Sequence, residues 1–514
     1  MPKNPVCLLI LDGWGHDNSW GGNAITIAQT PNFNKITREF PNTLIQASGQ
    51  YVGLPGHEVG NSEVGHMNLG AGNIVLQDVS EINKSIQDGS FYNNQVLREV
   101  ISNSKKNGTA LHLMGIVSDG GIHSHIVHLL ALIKLCSSIA HRNVYIHAFT
   151  DGRDSEPMKG LEFINILSTA CESLKTGTIA TVLGRGFLDR KGDWQKTKIA
   201  YDAIVNGVGQ KEKSALSGIS SAYRRGETDE FISPIIMDMA NSRVKNNDAV
   251  IFFNFRSDRT RQLTKAFLDP NFSAFKRPAL LNLDFVTFIP YGAELELGIK
   301  TRSPFKKVSI ARTIGKYFQD RNLKQFHIAE TEKYAHVTYF INGNLETPYN
   351  GEDRVIIPSP NVRSYAEKPE MSGEEVKDNL ISQLKRSEHS LYICNFANPD
   401  MVGHTGDFKA AVATVEFLDK KIKEIVDVCV DESIPILITA DHGNIERMVD
   451  PITGKPHTEH TKNKVPVVAI TVRKDFSLLE DGRLGNIAST LIEMANLEPD
   501  NLFLPGLIQK SKTD

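Results

Sequence analysis

Val6-Cys7-Leu8-Leu9-Ile10-Leu11-Asp12-Gly13 decides how this chain reads. Six consecutive apolar residues are enough for one buried strand and too few for a buried helix. They stop at a carboxylate and a turn-forming glycine. The same arrangement recurs outward through the 514 residues. Apolar runs at 110–117, 143–149, 178–183, 249–254, 391–396, 435–439 and 465–472 read as further strands, separated by longer stretches with helical periodicity. Ser372 and Glu375 have capping-box spacing and predict a helix start. Ala411, Val415, Leu418, Ile422 and Ile425 form an apolar stripe that predicts a helix over 408–430. Strands alternating with helices argue for an α/β fold with parallel sheets.

Polar residues gather just past the strand ends: Asp12, Ser118-Asp119, Thr150-Asp151-Gly152-Arg153-Asp154, Gly184-Arg185, Arg256, Asn398-Pro399-Asp400 and Asp441-His442. Open α/β sheets bind ligands outside the carboxyl ends of their strands, so these positions are the candidate site. They also sort along the chain. Asp, His and Ser types occupy the two ends, up to Ser62 and from Asp400, while the middle supplies Arg153, Arg185, Arg190, Arg256 and Arg259. That division predicts two domains: a discontinuous metal-binding domain from 1–76 and 306–514, and an inserted α/β domain from 77–305 that binds substrate. The crossings are expected near 74–80 and 297–307.

Composition narrows the class. Hydrophobic residues at 40% and charged residues at 23% are ordinary for a globular protein. A net charge of −3 argues against a generic nucleic-acid partner. The five cysteines are odd in number and scattered, with no CxxC pair, so they read as small core residues in a reducing compartment. No run approaches the roughly 20 apolar residues of a membrane span. The expectation is a cytoplasmic monomer with no membrane partner.

Each motif also has a plainer reading. Asp400 and His404 are four apart, and either share a helix face or flank a tight loop. A carboxylate with an imidazole suits Mn²⁺, Zn²⁺ or Co²⁺, but the pair could equally be a helix cap and a surface histidine. Asp441-His442-Gly443 is stronger, because adjacent Asp and His after a buried strand project differently and can serve different ions. His457 and His460 offer two candidates three apart, with His460 favoured and His457 as the fallback. Ser62 needs a base or a metal to become a nucleophile, and is otherwise a loop serine or N-cap. Arg256 and Arg259 could fork onto phosphate or carboxylate oxygens, or form a solvated salt-bridge pair. His123 lies in a glycine-rich loop, and Lys333 by itself reads as a solvated lysine.

Taken together, LDGWG at 11–15, GNSEVGH at 60–66, SDGGIHSH at 118–125, TDGRD at 150–154, FNFRSDR at 253–259, ETEKYAHVT at 330–338, NPDMVGHTG at 398–406, ADHGN at 440–444 and HTEHT at 457–461 resemble the cofactor-independent phosphoglycerate mutases of the alkaline-phosphatase superfamily. The strings stand in family order over nearly the whole chain. The resemblance implies an alkaline-phosphatase-like metal domain and two divalent ions, Mn²⁺ first among them, with no 2,3-bisphosphoglycerate. It implies Ser62 as the phosphorylated nucleophile. Asp400, His404 and His460 would hold one ion, and Asp12, Ser62, Asp441 and His442 the other. His123, Arg153, Asp154, Arg185, Arg190, Arg256, Arg259 and Lys333 would surround the substrate. Three departures stand out: Gly186-Phe187-Leu188 runs into Asp189-Arg190 one residue early, Asp193 replaces a usual arginine before Trp194, and Asn73 replaces a commonly basic residue.

The expected reaction is interconversion of 3-phosphoglycerate and 2-phosphoglycerate in glycolysis and gluconeogenesis, with Asp154 as acid/base for the glycerate hydroxyls and Lys333 adding positive charge at the phosphoryl group. Two rivals share parts of the set. A metal-dependent phosphomonoesterase would release phosphate to water, and a non-catalytic phospho-ligand sensor would keep arginines but lose nucleophile or ligands.

Overall fold

A computed structural model describes residues 4–18, 21–237, 239, 241–291, 301–306, 310, 312–471 and 476–510. The chain splits into two compact units, Met1–Gln77 with Val308–Asp514, and Asp78–Lys307. Residues 297–300 and 307 of the expected second crossing, and residue 472 of the last expected strand, lie outside the described residues. No described helix is long and apolar enough to cross a membrane. All five cysteines are buried and unpaired.

The strands that matter are β1 (Val6–Leu11), β2 (Asn42–Ile45), β3 (Leu111–Ile116), β4 (Val144–Thr150), β5 (Thr178–Gly184), β6 (Gln210–Glu212), β7 (Ile235–Met237), β8 (Ala249–Phe252), β9 (Asp284–Thr287), β10 (Gln325–Glu330), β11 (Glu352–Ile357), β12 (Leu391–Phe396), β13 (Ile436–Thr439) and β14 (Val465–Ile470). The first unit holds a seven-stranded sheet in the order β11-β10-β12-β1-β13-β14-β2. The second unit holds another, in the order β6-β7-β5-β4-β3-β8-β9. Neither sheet is wholly parallel, contrary to the expectation from sequence. β14 runs antiparallel to both β13 and β2, and β7 runs antiparallel to β5. The reversed strands lie toward the sheet edges, where no helical crossover is required.

β1 is buried along its whole length and is paired on both sides, which explains its unbroken apolar run. Its register sets Leu11 beside Phe396 of β12 and Ile10 beside Thr439 of β13. The three carboxyl ends are therefore level, and Asp12, Asp400 and Asp441 follow them. The helix Gly373–Arg386 begins where expected, but Ser372 does not cap it. Its hydroxyl donates to Pro358 O instead, and its N–H donates to the Glu330 carboxylate. The striped helix spans Phe408–Asp431.

Ser62 opens the helix Ser62–Ala71, capped by the Asn61 side chain, which accepts from Val64 N. This helix lies close against the carboxyl end of β13. A Cβ added at Gly65 would stand 2.6 Å from the Asp441 carbonyl oxygen and 2.8 Å from Asp441 Cβ. Only glycine permits that approach. Gly65→Ala should lower the stability of the first unit by about 1–3 kcal/mol, as overpacked sites do. The check is the urea midpoint of that unit's unfolding, and a midpoint equal to the parent's would show that the helix has room to move.

Candidate functional site

The first unit gathers its chemistry at the level ends of β12, β1 and β13. Lys333 Nζ donates to Asp12 Oδ1 at 2.7 Å, to Asp400 Oδ2 at 2.6 Å and to Ser62 Oγ at 2.7 Å. Ser62 Oγ also lies 3.2 Å from Asp12 Oδ1 and 2.9 Å from His442 Nε2. Lys333 is only 3% exposed, at the end of a 3₁₀ turn that follows β10, so it is not the solvated lysine its sequence suggests.

Electrostatics keep these groups ionised against their burial. Burial alone would raise Asp12, yet Lys333 and His442 hold it well below the usual carboxylate range. Asp400 is likewise held down, by Lys333 and by His404 and His460. Burial would lower Lys333, and Asp12, Asp400 and Asp441 instead push its pKa up. Burial pulls His442 down, but Asp441, Asp12 and Asp400 outweigh it and push it up to about 9.

His404 and His460 meet at Asp400. Their Nε2 atoms lie 3.2 and 3.1 Å from Asp400 Oδ1 and 3.0 Å from each other. His404 Nδ1 donates to Thr458 O and His460 Nδ1 donates to Gly60 O, both at 2.8 Å. With Nδ1 used as donor on each ring, two Nε2 lone pairs and a carboxylate oxygen face one another. A proton can relieve that crowding, and Asp400 does raise the pKa of His404. A divalent cation relieves it better, because the donors are those of a Mn²⁺, Zn²⁺ or Co²⁺ site and each ring is oriented by a carbonyl. Asp400, His442 and His460 form one group with ligand atoms within 4.8 Å of one another, and Asp12, Asp441 and His442 form a second. His442 thus belongs to both groups. Asp441 Oδ2 is buried without a hydrogen-bond partner, as a ligand oxygen awaiting a cation would be. His457 sits apart from this cluster; its N–H donates to Met448 O.

Reasoning from sequence missed three supports. Asn444 Nδ2 donates to Asp400 Oδ1 at 2.8 Å. The buried Glu446 carboxylate accepts from Gly15 N, Asn444 N, Asn463 Nδ2 and the Thr461 hydroxyl, tying the loop after β1 to the segment carrying His460. Asn395, within β12, donates to Asp12. A carboxamide inside an apolar strand was the available signal for Asn395, and Asn444 closes the ADHGN string at 440–444; nothing in the sequence marked Glu446.

The second unit has its own cluster beyond β3, β4, β5 and β8. Arg185, 1% exposed, is bound by the Asp151 carboxylate and by Asp154 Oδ2 at 2.5 Å. His123 Nε2 lies 3.7 Å from Asp154, and its Nδ1 lies 3.3 Å from Asp258. Arg190 Nη1 donates to Asp258 Oδ2 at 2.7 Å, so the short segment after Arg185 still brings Arg190 to the cluster. Asp193, the second departure, caps the helix Trp194–Tyr201. Arg259 is buried, gives one N–H to Leu188 O, and leaves Nε without a partner. Burial and the neighbouring Arg185 and Arg190 depress its pKa. Arg256 and Arg153 are half exposed and more loosely held, 3.6 Å from Asp258 and 3.4 Å from Glu230. Guanidiniums crowded this closely, with donors left over, suit a small anion.

Comparison with known proteins decides the class. The family model described as BPG-independent PGAM N-terminus (iPGM_N) matches residues 82–293. The chain is 45% identical over 516 residues to the 2,3-bisphosphoglycerate-independent phosphoglycerate mutase of Clostridioides difficile (strain 630), covering 99% of this chain and all of that one. It is equally similar to the enzyme of that name from Clostridium tetani (strain Massachusetts / E88). The chain belongs to the 2,3-bisphosphoglycerate-independent phosphoglycerate mutases. It also aligns with a solved Leishmania mexicana phosphoglycerate mutase, determined at low cobalt concentration, with a TM-score of 0.67, 30% identity, and coverage of 99% and 98% of the two chains. A phosphoglycerate mutase is an isomerase whose substrate is a small phosphorylated acid, and the two-unit α/β architecture is the setting in which its residues are placed.

In this mutase Lys333 hangs from the end of β10, and the last residue of that strand titrates unusually. Glu330 is buried, accepts from Ser372 N at 3.0 Å through one oxygen, and leaves the other unpaired. Burial pushes its pKa from 4.5 up to about 7. Between those two values the folded chain holds a proton that the unfolded chain has released. The contribution of this group to stability is therefore fully present below pH 4.5 and is lost as pH rises through about 7. Glu330→Gln removes this dependence. Relative to the parent, the variant should gain about 2 kcal/mol between pH 5 and pH 8. Urea unfolding at the two pH values measures the difference, and a constant offset would show Glu330 to be ionised throughout.

Proposed function

We propose that this enzyme interconverts 3-phosphoglycerate and 2-phosphoglycerate through a phosphoserine at Ser62, with two divalent cations, Mn²⁺ first among the candidates. The observation that carries the reading is a buried serine hydroxyl within 3.2 Å of a carboxylate, an imidazole and an ammonium at the N-terminus of a helix. Asp400, His404 and His460 would hold one cation, and Asp12, Ser62, Asp441 and His442 the other. When bound, the cations supply positive charge to phosphoryl oxygens and lower the pKa of the serine hydroxyl.

The chain's own residues account for the remaining steps. Ser62, deprotonated as the cations would favour, attacks phosphorus through Oγ while the bond from phosphorus to the glycerate oxygen breaks. Lys333 and the helix N-terminus offset the negative charge of the transferring group. Asp154 donates a proton to the departing glycerate oxygen and later takes one from the other hydroxyl, which attacks phosphoserine and regenerates free Ser62. Glycerate has to stay bound between the two transfers. We assign that task to the second unit, through Arg153, Arg185, Arg190, Arg256, Arg259 and His123, and the metal chemistry to the first. The reaction is the phosphoglycerate isomerisation of glycolysis and gluconeogenesis.

Ser62→Ala should lower the isomerisation rate by at least about a thousandfold, the scale on which loss of a nucleophile acts. Near-normal turnover by this variant would end the phosphoserine reading. Chelator should abolish activity and Mn²⁺ should restore it; full activity in a metal-stripped sample would refute the cation assignment. Arg256→Ala removes a charge-assisted contact worth about 1.5–3 kcal/mol, so glycerate should escape before reorienting and water should reach the phosphoserine. The measurement is the ratio of free phosphate to 2-phosphoglycerate formed from 3-phosphoglycerate. A rise is expected, and an unchanged ratio with intact isomerisation would show that Arg256 does not retain the intermediate.

A further inference from the structure

Asn395 makes a choice of hydrogen bonds that fold stability alone does not explain. It is fully buried in β12, one strand from Asp12. Its Nδ2 donates twice, to Asp12 Oδ2 at 2.7 Å and to His66 Nε2 at 3.0 Å, while its Oδ1 has no partner. Turning the amide over would face its oxygen to the Asp12 carboxylate, so the orientation is fixed. His66 Nε2 accepts, which leaves the ring's proton on Nδ1. That nitrogen donates to the Ser62 carbonyl at 2.9 Å and stands 3.1 Å from Asp441 Oδ2. His66 is itself fully buried, on the helix that Ser62 opens.

We propose that Asn395 and His66 are positioning residues: together they tie the Asp12 carboxylate to the Ser62 backbone and so hold the nucleophile in register with the groups that activate it. The proposal rests on the role given above to Ser62 and the cations. The bridge runs Asp12 to Asn395 to His66 to Ser62, each link set by one donor and one acceptor. Both side chains are fully buried, so the two residues act through Asp12 and Ser62. His66 also stands 3.1 Å from Asp441 Oδ2, an oxygen with no hydrogen bond of its own, and so orients a second carboxylate of the site.

The test uses the full chain, chelated and then titrated with Mn²⁺ by calorimetry. The variants are His66→Ala, His66→Asn and Asn395→Leu. Asn at position 66 can place a donor where Nδ1 stands, whereas Ala cannot. His66→Ala and Asn395→Leu should weaken one of the two Mn²⁺ ions by about 10–100-fold. They should also lower kcat at saturating Mn²⁺ while leaving KM for 3-phosphoglycerate unchanged. His66→Asn restores the link to Ser62 but not the one to Asn395, so it should recover part of both losses. The bridge is overturned if the variants keep the parent's Mn²⁺ affinity and kcat and only the melting temperature of the chelated protein falls, because that is a purely structural role. Equal losses in His66→Asn and His66→Ala would overturn it too. If His66→Ala does not fold, Asn395→Leu and His66→Asn carry the same comparison. A parent that binds no Mn²⁺ contradicts the proposed cations instead, and the kcat and KM comparison still judges the bridge.

Discussion

Three carboxylates, Asp12, Asp400 and Asp441, are buried at the ends of three neighbouring strands, and a single ammonium, Lys333, stands against them. The imidazoles gathered around them answer this imbalance. Buried carboxylates persist only when paired or coordinated. One lysine offsets only part of their charge, and the carboxylates raise the pKa of His404 and His442 beside them. A site that attracts protons so strongly to its imidazoles attracts divalent cations for the same reason, and the two compete.

Glu446 solves a different problem. It too is a buried carboxylate, yet it needs no cation, because two backbone N–H groups, a hydroxyl and a carboxamide satisfy it. Two carboxylates of one unit thus serve opposite ends. Glu446 is saturated and fixes loops, while Asp441 keeps an oxygen unpaired. Gly15 and Gly443 belong to the first arrangement, since a Cβ on either would stand 2.4 Å or less from a Glu446 side-chain atom.

Much of this was legible because strand ends are legible. The run Val6–Leu11 is apolar throughout because β1 is covered on both faces, and the same cause produced the recognisable runs of β3, β4, β5, β12 and β13. β10, with polar Gln325, His327 and Glu330, and β11, with half-exposed residues, carry no such pattern and were missed. β6, β7 and β9 are short edge or near-edge strands whose pairing is decided by tertiary contacts. Lys333 shows the limit most clearly. Its burial depends on the direction of a turn after β10, and no local pattern announces that a lysine will be pointed inward. Ser372 had the right spacing for a cap, but its hydroxyl donates to Pro358 O and accepts no N–H from the helix.

The placing of β1 between β12 and β13 also dictates an order of assembly. On the ribosome β1 is made long before its partners, so Val6 waits for Leu391 and Cys7 for Ile436. Meanwhile the strands of the second unit, β3 to β9, emerge consecutively and can complete their sheet. The nascent chain therefore carries six bare apolar residues with both edges unpaired until residues 391–396 and 436–439 emerge, a hazard that chaperones exist to cover. The same delay means that Asp12 cannot meet Asp400 and Asp441 before those later strands are made.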